Sequence, residues 1–338
     1  MDPAIYVCRY LEASYAAARP DLTDAARELV RSEIERNPEA YAHEPHAQAL
    51  VSYARVHARM IAELARMEEL PDGEFERQRS RLFDETRLAL FKIIETDRSC
   101  IDARLLDLLL ADVPLDDCLR DLLALEREAR EQICCAHDDF DPEAPGLWRG
   151  ANEDEAAART LEDPQVIGWL HCVEALSQGS LTSARYRAAG TYAQQVLRAR
   201  GYANHAEGTL FLALARLEDE DAFFACSRAI GEAAEESPWY LLGRTLLFYK
   251  LGRRKNARRA LRDFAGRCEG GAFFLLNPTY LTPYLPVRPE VSEAWRRSHQ
   301  AVWEADGIIA DTPDFANWAA TVEGVEAASE DFARRRGF

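Results

Sequence analysis

A chain of 338 residues that is 48% hydrophobic and 29% charged has enough apolar material for a core of its own, without disulfide or metal staples. Its 41 Lys and Arg stand against 58 Asp and Glu, a net charge of −17. That balance argues against nucleic acid, whose affinity is dominated by phosphate neutralisation, and against an anionic membrane surface. The longest apolar runs, residues 105–110 and 210–214, fall well short of the roughly 20 residues a membrane helix requires. The first residues, M-D-P-A-I-Y-V-C-R-Y-L-E, lack the basic start and apolar core of an export signal, so the expected compartment is the cytoplasm. The eight cysteines form no Cys-x-x-Cys pair and read as buried thiols in a reducing compartment.

Taken in order, the spacing of Ile5, Cys8, Leu11 and Tyr15 predicts a helix over residues 4–19, ended by Pro20-Asp21. Thr23 or Asp21 can cap a second helix, which carries Ala26, Leu29, Val30 and Ile34 on one face and stops before Asn37-Pro38. Two long helices follow over residues 45–70 and 73–96, joined at Pro71-Asp72-Gly73. Their stripes include Leu50, Tyr53, His57, Ile61 and Leu64, then Leu82, Leu88, Phe91 and Ile94. Another hairpin occupies residues 100–136, broken at Val113-Pro114. Residues 137–152, rich in Pro, Gly and Asp, are the one long non-helical stretch, a linker or ordered crossing loop that Trp148 is expected to pin down. No stretch alternates β-branched residues, so negligible sheet is expected.

From Asp163 onward the chain repeats helix-turn-helix units. One hairpin runs over residues 165–178, turns at Gly179-Ser180 and returns through Ala188, Tyr192 and Val196. Two clearer units lie within residues 202–264. There Gly208 and Gly243 are 35 positions apart, as are Ala222 and Ala257, Ala225 and Ala260, Cys226 and Leu261, and Ala229 and Phe264. A period near 34 belongs to tetratricopeptide arrays, whose units stack because none can bury its apolar face alone. Ser237-Pro238 marks the start of the last unit, with a capping hydroxyl and proline at the first helical position. Trp239, Leu242 and Gly243 then match the head of the tetratricopeptide pattern. After Gly270-Gly271 come F-F-L-L-N-P-T-Y-L-T-P-Y-L-P, a helix over residues 291–305 and a tail, placed to cap the array. The predicted fold is all-α: an α-α superhelix of tetratricopeptide-like antiparallel helix hairpins with a C-terminal cap. Its parts are N-terminal hairpins over residues 1–136, a linker or crossing loop over 137–160, the repeat array over 161–268, and the cap and tail over 269–338.

Three places bring a family to mind. One is the Ser-Pro start followed by Trp239 and L-L-G-R, within residues 237–253; another is the N-P-T-Y-L-T-P-Y-L-P run at 277–286. The third is S-E-A at 292–294, Trp303 and T-P-D-F-A-N-W at 312–318. Together these resemble bacterial tetratricopeptide proteins that are similar to the suppressor-of-tumorigenicity family, over roughly residues 98–320. Where such proteins carry a polar Asn-Pro-Asn-Asp-Asn-Gln-Gly-type junction, this chain has R-A-R-G-Y-A-N-H-A-E-G at 198–208. The resemblance implies a non-catalytic interaction scaffold and carries over no catalytic residue.

The residues themselves offer little catalytic chemistry. Cys134-Cys135-Ala136-His137-Asp138 is the densest set of metal-ligand types, but no second pair lies near it and neighbouring side chains on a helix diverge. In His43-Glu44-Pro45-His46 the proline blocks the helical i, i+4 geometry of a metal site. His171-Cys172 are likewise adjacent on one helix, and neither a Gly-x-Ser-x-Gly elbow nor a phosphate loop occurs. No metal and no cofactor are expected. The arginine-rich segment 253–262 stands out in an acidic chain. Its bland reading is a helix that packs Ala257, Ala260, Leu261 and Phe264 while its arginines are solvated or paired with glutamates. Its functional reading is a carboxylate clamp of Arg253, Arg254 and Arg258, because guanidinium forks match carboxylates. Tyr240, Arg244 and Tyr249 on the preceding helix, with Asn204 and His205 at the head of the unit before, are assigned to the same groove. The expectation is a scaffold, not an enzyme, that binds an unknown protein or peptide, acidic by the charge of the groove, and is a monomer or homodimer. The alternative is a helical enzyme or a small-ligand-sensing regulator with a pocket between the two helical halves near Trp148.

Overall fold

The computed structural model describes residues 1–67, 70–280 and 293–338. The expected run at 281–286 and the first two residues of the helix expected from 291 lie outside the described residues. Among the described residues the chain is all-α, without a strand, and with one isolated antiparallel bridge between Phe140 and Trp148. Among the described residues no helix is long and apolar enough to cross a membrane. The chain divides into two compact units, Met1–Ala175 with Gln195–Asn204, and Leu176–Gln194 with His205–Phe338.

The first unit holds α1 (Pro3–Ala17), α2 (Asp24–Arg36), α3 (Pro45–Met67), α4 (Asp72–Thr96), α5 (Ile101–Leu109), α6 (Leu115–Ala136) and α7 (Glu153–Glu162). The division between the units passes through α8 (Pro164–Thr182) and α9 (Tyr186–Leu197). Helix starts follow local chemistry. Asp2 accepts from the Ala4 N–H at 2.9 Å with proline next to it, Thr23 from Ala26 at 3.3 Å, and Asn152 from Glu155 at 3.0 Å. α3 and α4 form a hairpin, α5 packs on α4 and α6, and α1 packs on α2, α3 and α7.

The core of this unit is not purely apolar. Asp102 is 4% exposed, accepts from the Tyr6 hydroxyl at 2.5 Å, and lies 2.8 Å from His171 Nδ1. Burial pushes its carboxyl up, but His171 and Tyr6 beside it hold it below the usual carboxylate range. Burial, then the neighbouring Asp102, raises the Tyr6 hydroxyl well above its ordinary value. Residues 137–152 are pinned down. The Trp148 indole N–H donates to Thr160 at 3.0 Å, and the Arg159 guanidinium sits 3.8 Å above the ring. The same arginine grips Asp139 and holds its carboxyl down at about 2.

The second unit holds α10 (Ala206–Leu217), α11 (Glu220–Ile230), α12 (Glu232–Glu236), α13 (Pro238–Lys250), α14 (Arg254–Arg267), α15 (Gly271–Leu276), α16 (Ala294–Ala310), α17 (Phe315–Ala320) and α18 (Val325–Arg336). Its repeat shows most clearly in the turns. Ala184, Glu218 and Gly252 lie 34 positions apart and all adopt left-handed backbone, with φ of 59°, 62° and 72°. Each is followed by an N–H that bonds back over the end of the preceding helix: Arg185 to Ser180 at 2.8 Å, Asp219 to Leu214 at 3.1 Å and Arg253 to Phe248 at 2.9 Å. The helices after these turns start at Tyr186, Glu220 and Arg254, again 34 apart.

The 35-residue pairing of the second helices does not hold. α14 buries Ala257, Ala260, Leu261 and Phe264, whereas α11 buries Phe223 and Ser227 and leaves Ala225 and Ala229 exposed. Phe223 is the equivalent of Ala257 at a spacing of 34; aligning small residues with small residues moved the register by one. α10 and α13, apolar on nearly every side, are buried and covered by α16 as well as by each other. Gly208 lets the Trp239 indole come so close that an added Cβ would sit 2.8 Å from the ring.

Candidate functional site

α14 begins where left-handed Gly252 turns the chain back from α13. Its apolar stripe of Ala257, Ala260, Leu261 and Phe264 faces inward, and most of the remaining positions are basic. Lys255, Arg258, Arg259 and Arg262 are exposed and fall at i, i+3, i+4 and i+7, within about 100° of arc opposite the buried stripe. None of the four makes an ion pair among the described residues. The helix has no side-chain N-cap and no acidic residue in its first turn, where Arg254 and Lys255 oppose the helix dipole. α18 provides the contrast. Its three closing arginines sit at the favourable end of a helix, and Arg334, Arg335 and Arg336 are paired with Asp331 or Glu269.

The residues assigned to the groove take different places. Arg258 belongs to the exposed basic face. Arg254 lies beside that face with its guanidinium 3.4 Å above the Tyr249 ring, and Arg253 pairs with Glu220 at 2.5 Å. Arg244 pairs with Asp263 at 2.7 Å. Tyr240 is buried against Phe211 and Phe223, and Tyr249 is buried with its hydroxyl donating to the Pro313 carbonyl at 3.0 Å. Both tyrosines stand on α13, whose exposed face is largely covered by α16. His205 is exposed with its ring stacked on Trp239, whereas Asn204 belongs to the first unit and donates to the Tyr202 carbonyl at 2.9 Å. The structure therefore brings Arg253, Arg254 and Arg258 to one helix end, while Asn204 belongs to the other unit. Sequence reasoning passed over Lys255, Arg259 and Arg262 as site residues, although their spacing with Arg258 is visible in the chain.

The other clusters are structural. His46 Nδ1 lies 2.5 Å from Asp97, His137 Nε2 lies 3.0 Å from Asp163, and Cys134 and Cys135 are exposed on the last turn of α6. Burial pushes Cys100 and Cys268 up to about 12 and, with Glu207, Cys226 up to about 11, which keeps these thiols protonated. Among the described residues no group of three His, Cys, Asp or Glu is placed to hold a metal ion. Compared with models of known protein families, with curated proteins and with solved structures, the chain matches none.

Proposed function

We propose that the chain is a non-catalytic interaction module, a tetratricopeptide-like repeat protein that docks an acidic segment of a partner on the outer face of α14. One observation carries the reading: four aligned cations, none in an ion pair among the described residues, in a chain whose net charge is −17. Like charges at i, i+4 cost a helix about 0.2–0.5 kcal/mol per pair, and Lys255/Arg259 and Arg258/Arg262 are two such pairs. An isolated helix would gain by replacing any of them. An acidic partner removes that penalty and gains bidentate guanidinium–carboxylate bonds from Arg258, Arg259 and Arg262. The acidic remainder of the surface repels the same partner and so selects its landing place. The 34-residue recurrence of the turns supports the repeat reading, and the burial of α10 and α13 moves the contact from the inner helices to the outer one.

The test is a titration of the protein into a fluorescein-labelled peptide of alternating Glu and Ala, followed by anisotropy at several salt concentrations. Saturable binding that weakens with salt is expected. Lys255→Ala/Arg258→Ala/Arg259→Ala/Arg262→Ala should abolish it while leaving the melting temperature unchanged or higher. Equal binding by the parent and that variant would overturn the proposal.

A further inference from the structure

In the first unit α4 packs on α3 and on α5, and turns Leu82, Thr86, Leu90 and Ile93 into the core at helical spacing. Opposite that stripe Arg81, Asp84, Leu88, Phe91, Lys92 and Glu95 are exposed, all within about 100° of arc and over about 21 Å of helix. Two large apolar side chains stand in the middle of this outer face, Leu88 at 67% and Phe91 at 58% exposed. Asp84, Lys92 and Glu95 make no ion pair among the described residues, and Arg81 pairs with Glu85 of its own helix at 3.0 Å.

The charges on this face are ordered, and the order decides what can cover it. Counted from Leu88, Asp84 lies four positions before and Lys92 four after, while Arg81 lies seven before and Glu95 seven after. Equal offsets carry opposite charges, so the face is its own complement when turned end for end. Laid antiparallel on a second copy about a two-fold axis through Leu88, it sets Leu88 on Leu88, Asp84 on Lys92 and Arg81 on Glu95, with each ion pair made twice. Phe91 then falls level with Glu85, whose carboxylate Arg81 of the same helix already holds, and the ring lies on the stems of that pair. Exposed Arg77, further out, falls level with Ser99, beyond the end of α4. Other arrangements match less well. A parallel copy opposes Asp84 to Asp84 and Lys92 to Lys92. An antiparallel shift that sets Leu88 on Phe91 opposes Asp84 to Glu95 and Arg81 to Arg98. Centring on Phe91 turns Asp84 and Glu95 towards Arg98 and Arg87, which already pair with Glu128 and Asp107.

We infer that α4 is where two copies of this chain meet, as an antiparallel helix pair centred on Leu88, with Leu88 and Phe91 as its apolar middle and the Asp84–Lys92 and Arg81–Glu95 pairs closing both ends. One helix face about 21 Å long buries less than the roughly 1,000 Å² of a stable complex, so the dimer forms and parts with concentration. The contact is independent of α14 and involves no acidic partner.

Sedimentation equilibrium over a range of protein concentrations tests it. The mass of the parent should rise from 38.1 kDa toward twice that value. Leu88→Arg sets two cations on the axis and should hold the mass at 38.1 kDa. Asp84→Lys and Lys92→Asp should each weaken the dimer by about tenfold or more, because exposed pairs are worth about two- to fivefold apiece and each variant reverses two of them. All three positions are exposed, so the variants keep the fold. An equimolar mixture of the Asp84→Lys and Lys92→Asp proteins restores both pairs between unlike chains and should dimerise as the parent does, although neither protein does so alone. A parent that stays monomeric at every concentration, a dimer indifferent to Leu88→Arg, or a mixture no heavier than its two components would overturn the inference.

Discussion

The three left-handed turns of the second unit make a sharp stability test, because only one of them carries glycine. For a residue with a Cβ the left-handed conformation costs about 1–2 kcal/mol. Ala184, at φ 59°, bears that cost in the folded state, and Gly252, at φ 72°, does not. Glycine in turn loses more backbone entropy on folding, about 0.5–1 kcal/mol relative to alanine. The difference leaves Ala184→Gly more stable by about 0.5–1 kcal/mol and Gly252→Ala less stable by about the same amount. Sterics do not blur the second case, since nothing lies within 4 Å of a Cβ built on Gly252. Glu218→Gly should gain less than Ala184→Gly, because it also removes the contact to Lys250 at 3.5 Å. Guanidinium unfolding at constant slope measures each change, and thermal midpoints should move by about 2–4 °C per kcal/mol. A Gly252→Ala variant as stable as its parent, or an Ala184→Gly variant that is weaker, would refute the placement of these turns.

Other expectations concern the core. Asp102→Ala leaves Tyr6 and His171 without their buried acceptor and should cost about 3–5 kcal/mol by denaturant unfolding. Because Asp102 is held below its unfolded value, its stabilisation is full above pH of about 4 and is lost as pH falls through the folded value; Asp102→Asn should flatten that acid limb. His57 is depressed by burial, so the unfolded chain takes up its proton first and stability falls as pH drops below about 6.5. His57→Gln should remove that slope in melting curves recorded from pH 7 to pH 5. Gly208→Ala drives a Cβ to 2.8 Å from an indole held by Glu304, and the overpacking of about 1–3 kcal/mol should outweigh the gain in helix propensity. Gly266→Ala in α14 meets nothing within 4 Å and should stabilise by about 0.8–1 kcal/mol in the same assay.

The all-α character was readable because it rests on local periodicity. The turns at Ala184 and Glu218 were not, since left-handed backbone is signalled by glycine and these positions carry other residues. Phe223 shows a second limit: matching small residues with small ones picked a spacing of 35 where burial follows 34. Tyr240 and Tyr249 looked like groove residues because nothing near them in the chain reveals that α16 covers their helix. The Tyr6–Asp102–His171 contacts join residues 96 and 69 positions apart, a distance over which periodicity says nothing. The basic face of α14 was in the sequence throughout, written in the i, i+3, i+4, i+7 spacing of Lys255, Arg258, Arg259 and Arg262.

The proposed docking face is tested most directly by exchanging charge across it. Parent protein and a variant carrying Glu at positions 255, 258, 259 and 262 are each titrated with a Glu-rich and a Lys-rich peptide of equal length. Docking on α14 predicts that the parent takes the Glu-rich peptide and refuses the other, and that the variant reverses the choice. A variant that still prefers the Glu-rich peptide, or a parent that binds neither, would contradict it.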